Sequence, residues 1–316
     1  MSVICKEAYY NSSTGKDTIR ALIWHDDTVA PIGVFQIAHG VCEHIGRYDG
    51  FARFLASNGF VVCGNDHLGH GKSVKSLADL GHTADENGDV RMVDDMHILT
   101  CIMKKRYPNL PYFLFGHSMG SFAARIYAAD FGHELDGVIF CGTGQIPGVA
   151  ALLKDAVEKT IDKIGVRKSS LGTMQLLGKL WSIPYKNDND PLAWLSVDLE
   201  NRERYREDPL CNFNLKLSGL RDLLKLQLGA CAPDWTIRMP LYLPVLLISG
   251  EKDPVGSNGK GVIALADALE MAGIEPTVIL YPNMRHEILN ETEKEKVYFD
   301  IKNWLMQVLN GEFKIK

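Results

Sequence analysis

Residues 113–120 read Phe-Leu-Phe-Gly-His-Ser-Met-Gly, a G-x-S-x-G pentapeptide set between two contrasting runs. Tyr112–Phe115 before it has the apolar composition of a buried strand, and Ser121–Ala129 after it suits a helix. A chain passing from strand to helix within a few residues must turn sharply. Gly116 and Gly120 permit the turn because neither carries a Cβ. Ser118, between His117 and Met119, is then held under strain with its hydroxyl raised above the sheet edge. The pentapeptide has this meaning only in a strand–turn–helix setting, and here the setting is present. It commits the chain to a layered architecture of strands and helices and marks Ser118 as a candidate nucleophile.

A serine hydroxyl is a poor nucleophile at neutral pH and needs a base. Ten histidines are present, but beyond Phe131-Gly-His133 only His286 remains. Leu243-Pro-Val-Leu-Leu-Ile-Ser-Gly250 reads as a buried parallel strand, and Asp253 sits just past its end. Pro276–Tyr281 is the next strand candidate, and His286 follows it in the loop Pro282-Asn-Met-Arg-His. Ser118, Asp253 and His286 therefore each fall beyond the carboxyl end of an expected parallel strand, the edge where open α/β sheets place their sites. His286 would take the serine proton and return it to the leaving group. Asp253 would fix the imidazole tautomer and stabilise the imidazolium. The alternatives are a loop histidine capping local backbone and an ordinary turn aspartate before Pro254. Glu251, closer to the strand, and Asp267, inside a helical pattern, are rival acids.

Five blocks carry a family resemblance. His39-Gly-Val-Cys-Glu-His44-Ile-Gly-Arg47-Tyr48 resembles the HGxxEHxxRY stretch of monoacylglycerol lipases and lysophospholipases in the α/β-hydrolase superfamily. Asp66-His-Leu-Gly-His-Gly-Lys-Ser73 is similar to their DHxGHGxS segment. Gly116–Gly120, Gly250-Glu-Lys-Asp-Pro-Val and Tyr281–Glu291 resemble their elbow, acid and histidine blocks. The resemblance implies an α/β-hydrolase fold, a Ser118–Asp253–His286 triad, no cofactor and no metal. It also implies two backbone N–H donors for the oxyanion, Met119 and, from the loop after Ile32–His39, Val41. Which residue of Gly40–Cys42 donates stays open. His39 and Gly40 complete the expected site loop. One departure is the Val-Cys pair in that loop, where the family often has smaller residues.

Other strands are expected around Val3–Tyr10, Thr18–Trp24, Phe60–Gly64 and Leu135–Cys141, with helices near Tyr48–Asn58 and Asp89–Tyr107. The alternation predicts a mainly parallel sheet with helices on both faces. From about Gln145 to Leu241 strand-like runs vanish, and helical patterns appear over Val149–Ile164, Ser170–Trp181 and Leu217–Leu228. The expected organisation is a core of residues 1–144 and 241–316 with a helical cap, 145–240, over Ser118. Met174, Leu176, Leu177, Leu180 and Trp181 could form a lipid-facing rim or the cap's own core, and the core is the simpler reading. Trp181, Trp194 and Trp235 carry the same ambiguity. In Asn201–Asp208 arginines and glutamates alternate, which reads as a solvated, self-paired helix face.

The balance of 34 Lys and Arg against 39 Asp and Glu, net −5 without a basic cluster, argues against nucleic-acid binding. No apolar stretch is long enough to span a bilayer, and the first residues lack a signal-peptide pattern. Seven cysteines without CxxC spacing fit reduced thiols in a cytoplasmic protein, Cys63 and Cys141 as small core residues. Asp66, His67 and His70 are too few ligands for a metal site and are expected to brace their loop, as His39, Glu43 and His44 shape theirs. Cys42, near the expected site, could make the protein sensitive to thiol reagents.

The sequence thus points to a serine hydrolase acting on carboxylic esters, monoacylglycerols by resemblance, with a small-molecule lipid or ester as its partner. Lysophospholipase or short-chain carboxylesterase activity is the nearest alternative. A peptidase of the same fold, with Glu203, Glu207 or Asp208 anchoring a substrate amine, and a non-catalytic binding protein are further ones. Reversible contact of the cap with a membrane surface is left open.

Overall fold

The structure is a computed structural model that describes residues 3–145, 147–170 and 172–313. Ile146 and Leu171, both within the expected insertion, lie outside the described residues.

Eight strands form one sheet in the order β1-β2-β4-β3-β5-β6-β7-β8. β1 (Val3–Asn11), β2 (Thr18–Asp26) and β4 (Phe60–Asn65) pair antiparallel. β3 (Gly33–Ala38) pairs parallel with β4 and with β5 (Tyr112–His117). β6 (Gly137–Cys141), β7 (Val245–Gly250) and β8 (Thr277–Tyr281) continue the parallel run. β3 to β7 are buried along their whole length, which explains why they read as unbroken apolar runs rather than alternating ones. The register levels their carboxyl ends: Ala38 stands opposite Gly116, His117 opposite Cys141 and Gly250 opposite Tyr281.

Helices cover both faces, as the alternation predicts. α1 (Asp49–Ser57) and α10 (Lys294–Leu309) bury Phe51, Leu55, Val297, Ile301 and Trp304 on one side. α2 (Gly88–Arg106), α3 (Met119–Phe131) and α9 (Lys260–Met271) bury Met96, Leu99, Met103, Phe122, Tyr127 and Leu265 on the other. All seven cysteines are free thiols, and Cys63 and Cys141 lie fully within the two cores. Among the described residues no helix is long and apolar enough to cross a membrane.

Between β6 and β7 the described residues form helices and no sheet strand: α4 (Pro147–Ile164), α5 (Thr173–Trp181), α6 (Leu199–Glu207), α7 (Leu217–Ala230) and α8 (Trp235–Arg238). Met174 and Trp181 pack inward against neighbouring clusters, while Leu176 and Leu180 of the same helix are 59 % and 51 % exposed. The expected apolar group therefore divides between core and surface.

The Asn201–Asp208 segment differs from the expected solvated face. Glu200–Arg204 and Glu203–Arg206 are exposed i,i+4 and i,i+3 pairs, as expected. Arg202, however, is 2 % exposed and reaches Asp188 at 2.7 Å and Asp190 at 3.4 Å, and Asn201 and Tyr205 are buried beside it. Charge alternation reports only the outer face of α6; the inner face is pressed against the rest of the insertion and the loop that follows β8.

Candidate active site

Ser118 stands between β5 and α3 with φ 53° and ψ −119°, a strained backbone conformation for a residue other than glycine. Its N–H donates to the Cys141 carbonyl at 3.0 Å, which ties the turn to β6. The flanking glycines are dictated by close approach. A Cβ on Gly116 would strike the Gly120 carbonyl, and a Cβ on Gly120 would strike the Ala38 and His39 carbonyls. Gly40 lies against the serine: a Cβ there would sit 3.2 Å from Ser118 Cβ and 3.3 Å from His117 Cδ2.

His286 and Asp253, 33 residues apart, meet where β7 and β8 end. His286 Nδ1–H donates to Asp253 Oδ2 at 2.9 Å, with both residues buried. That bond leaves Nε2 without a proton and able to accept one. Asp253 is itself fixed, accepting the Val255 N–H on Oδ1 at 2.9 Å and the Ser249 hydroxyl on Oδ2 at 3.3 Å. Burial alone would lower the pKa of His286, but the Asp253 carboxylate, with Glu287 and Glu43 behind it, outweighs burial and raises it. His117, whose ring centroid is 4.7 Å away, has the opposite fate: burial and the charge of His286 push it down to about 4. Gly142, at φ +57°, makes room for both, since a Cβ there would lie 3.0 Å from the ring of His117 and 3.2 Å from that of His286.

The loop after β3 is held by a buried charge network. The Gly40 N–H donates to Glu43 Oε1 at 2.5 Å, and the Tyr48 hydroxyl donates to the same oxygen at 2.8 Å. Arg47 donates to Glu43 Oε2 at 2.9 Å, to both oxygens of Glu287 and to Asn201 Oδ1 on α6. Arg47 overrides burial and keeps the Glu287 carboxyl below its usual range. The Gly40 N–H is therefore occupied. Val41 and Met119 N–H have no acceptor among the described residues, so both donors are unengaged. His39 Nδ1–H donates to the Gly40 carbonyl at 2.7 Å, and its Nε2 accepts the His67 N–H at 2.9 Å. Asp66 accepts the N–H groups of Ile45 and Lys72 and pairs with Arg20, so it braces both loops.

Cys42 lies in the site loop, as expected, but its thiol is sheltered from reagents. It is buried at φ 57°, its Sγ donates to the Phe213 carbonyl at 3.3 Å, and its own carbonyl accepts the Asn212 N–H. Burial pushes its pKa well up, away from the reactive thiolate. His44, Asp208 and Cys211 place three potential metal ligands within 4.8 Å of one another. His44 Nδ1, however, accepts the Gly46 N–H, which leaves the ring proton on Nε2, donating to Asp208 at 2.9 Å. The His44–Asp208 bond joins the site loop to the insertion.

Two features were not legible beforehand. Arg47 and Glu287 stood in the quoted motifs without a role, because their pairing spans 240 residues. Trp194 was one of three ambiguous tryptophans; its ring lies 5.0 Å from that of His286, whereas Trp235 is buried against Phe140 and Arg125.

Comparison with known proteins places the chain among hydrolases. Residues 30–293 match the Hydrolase_4 family, described as serine aminopeptidase, S33. A monoacylglycerol lipase of Mycolicibacterium smegmatis is 30 % identical over 292 residues, covering 91 % of this chain and 92 % of that protein. The human monoglyceride lipase is 26 % identical over 292 residues, covering 89 % and 84 %. A thermostable carboxyl esterase from Bacillus coagulans, solved in complex with glycerol, superposes with a TM-score of 0.90 at 31 % identity, covering 96 % of this chain and 99 % of that one.

Proposed function

The chain belongs to the Hydrolase_4 family of serine hydrolases, and from that premise we propose that it cleaves carboxylic esters through Ser118, His286 and Asp253, with monoacylglycerols as the substrate class. The observation that carries the reading is the buried His286–Asp253 bond of 2.9 Å at the same sheet edge as the strained Ser118. Ser118 Oγ attacks the ester carbonyl while His286 Nε2 takes its proton. The negative charge on the carbonyl oxygen is met by the free N–H groups of Met119 and Val41. His286 then protonates the leaving glycerol oxygen, and the acyl group stays on Ser118. A water, deprotonated by the same nitrogen, releases the fatty acid.

Residues 145–240 act as a helical cap whose exposed Leu152, Leu176, Leu180 and Ile183 form an apolar rim for the acyl chain or a lipid surface. The seven free thiols suit a cytoplasmic setting. The family description also raises a peptidase, which would want a free carboxylate for the substrate amine. Of the three candidates, Glu203 is paired with Arg206 and Asp208 with His44, while Glu207 is exposed to solvent. Two of the three are therefore already engaged, and only Glu207, out in solvent, is left for that role.

The test is fatty-acid release by purified protein from monoacylglycerols of short to long chain, beside matched lysophosphatidylcholines and aminoacyl amides, with Ser118→Ala as control. Preference for monoacylglycerols, lost by several orders of magnitude in Ser118→Ala, is expected. Wild-type rates in Ser118→Ala would refute the mechanism. Preference for the lysolipids or the amides would refute the substrate assignment.

A further inference from the structure

His286 is gripped by the insertion on three sides. Before it, Arg285 donates to Asp188 and to the Ala193 carbonyl; after it, the Glu287 N–H donates to the Leu195 carbonyl at 2.8 Å. Between these ties stands Trp194, whose ring centroid is 5.0 Å from that of His286 at an interplanar angle of 39°. The indole is itself pinned. Its backbone N–H donates to Ser182 Oγ at 3.2 Å, and its ring packs on Trp181 with centroids 4.8 Å apart. Gly178 of α5 is close enough that a Cβ there would lie 3.1 Å from Trp194 Nε1.

That Nε1–H is buried and has no partner among the described residues. An unpaired buried donor is destabilising, so hydrogen bonding gives no reason for a tryptophan here. What the ring does offer is its π face. A cation within about 6 Å of an indole centroid is attracted by the ring quadrupole, most strongly where water is excluded. During catalysis His286 becomes such a cation.

We propose that Trp194 is a positioning residue that stabilises the imidazolium form of His286 through its indole face, so that the insertion takes part in proton transfer as well as covering the site. The proposal rests on the triad reading above. The groups that act most on His286 are Asp253, Glu287 and Glu43, with His117 against its ring, and none of the four lies on the insertion; the insertion's Asp188 is nearby but is paired with Arg285. The insertion's contribution to the imidazolium is therefore separable from theirs. It acts in the same sense as Asp253, raising the pKa of His286 and lowering the barrier to proton uptake.

The experiment is the pH dependence of kcat and kcat/KM for hydrolysis of a short p-nitrophenyl ester by the full chain, in wild type, Trp194→Phe and Trp194→Leu. The His286 titration is followed in parallel by 15N NMR of histidine-labelled protein. In Trp194→Leu the acid limb of kcat/KM should move to lower pH by about half to one unit, with plateau kcat down about three- to tenfold and KM changed less. Trp194→Phe, which keeps an aromatic face, should fall between. An unmoved acid limb in Trp194→Leu, or Phe and Leu variants that behave alike, would overturn the proposal. Should Trp194→Leu fail to fold, an unchanged His286 titration in Trp194→Phe would overturn it. Wild-type hydrolysis that survives Ser118→Ala would overturn the triad itself, which is a different outcome from triad-dependent hydrolysis with an unmoved limb.

Discussion

Acid should unfold this protein early, and three buried histidines set the scale. His39 and His117 are pushed by burial from 6.5 down to about 4, and His70 to about 3. The folded state holds them neutral, whereas the unfolded chain protonates them near 6.5. Their contribution is therefore fully present above pH 6.5 and is lost as pH falls from there toward the folded values. Each tenfold difference in proton affinity between the two states is worth about 1.4 kcal/mol. Between about pH 7.5 and pH 5 each histidine should therefore remove about 2 kcal/mol, or roughly 6 kcal/mol for the three. That is comparable with the whole stability of an ordinary domain. His286, raised by Asp253, works in the opposite sense and offsets part of the loss. The perturbation is His70→Gln, measured by urea unfolding at both pH values. Comparing each protein with itself cancels the fixed cost of the substitution, and the variant should lose about 2 kcal/mol less than wild type on acidification. If both proteins lose the same amount, His70 titrates normally in the folded state, and the claim that burial holds it neutral is wrong.

Other expectations follow from single contacts. Arg47→Met leaves Glu43 and Glu287 as buried carboxylates without their cation, which should cost about 3–5 kcal/mol by chemical denaturation; a loss below about 1 kcal/mol would show that water reaches the network. Asp253→Asn removes the acceptor that holds the His286 tautomer and should lower kcat about 10⁴-fold, and a loss under tenfold would move the acid to another residue. Gly120→Ala drives a Cβ into the Ala38 and His39 carbonyls, so fluorophosphonate labelling of Ser118 should be abolished; normal labelling would contradict the elbow geometry. With iodoacetamide, exposed Cys101 should be alkylated first and buried Cys42 should stay unmodified by mass spectrometry; early labelling of Cys42 would contradict its burial.

Features coded by a few adjacent residues were legible in the sequence. The Gly116–Gly120 turn, the buried strands β3 to β7 and the loops carrying Asp253 and His286 all depend on local pattern, because a sharp turn needs its glycines and a doubly covered strand must be apolar. The sheet edge then brings together what the loops carry, so Ser118, Asp253 and His286 could be listed as candidates, with Glu251 and Asp267 as rival acids and the family resemblance pointing to Asp253, the one that bonds His286.

Tertiary structure alone decided the rest. Arg47 and Glu287 pair across 240 residues, Cys42 is bonded to Phe213 rather than exposed, Arg202 is buried inside a segment that reads as solvated, and one tryptophan of three faces His286. None of these has a local signature. An arginine is written the same way whether its guanidinium meets water or a buried carboxylate, and only the packing of distant elements removes the water. The sequence determined which groups would gather at the carboxyl edge of the sheet. The packing of the insertion against that edge determined which charges are paired, which histidines stay neutral and which ring lies against His286.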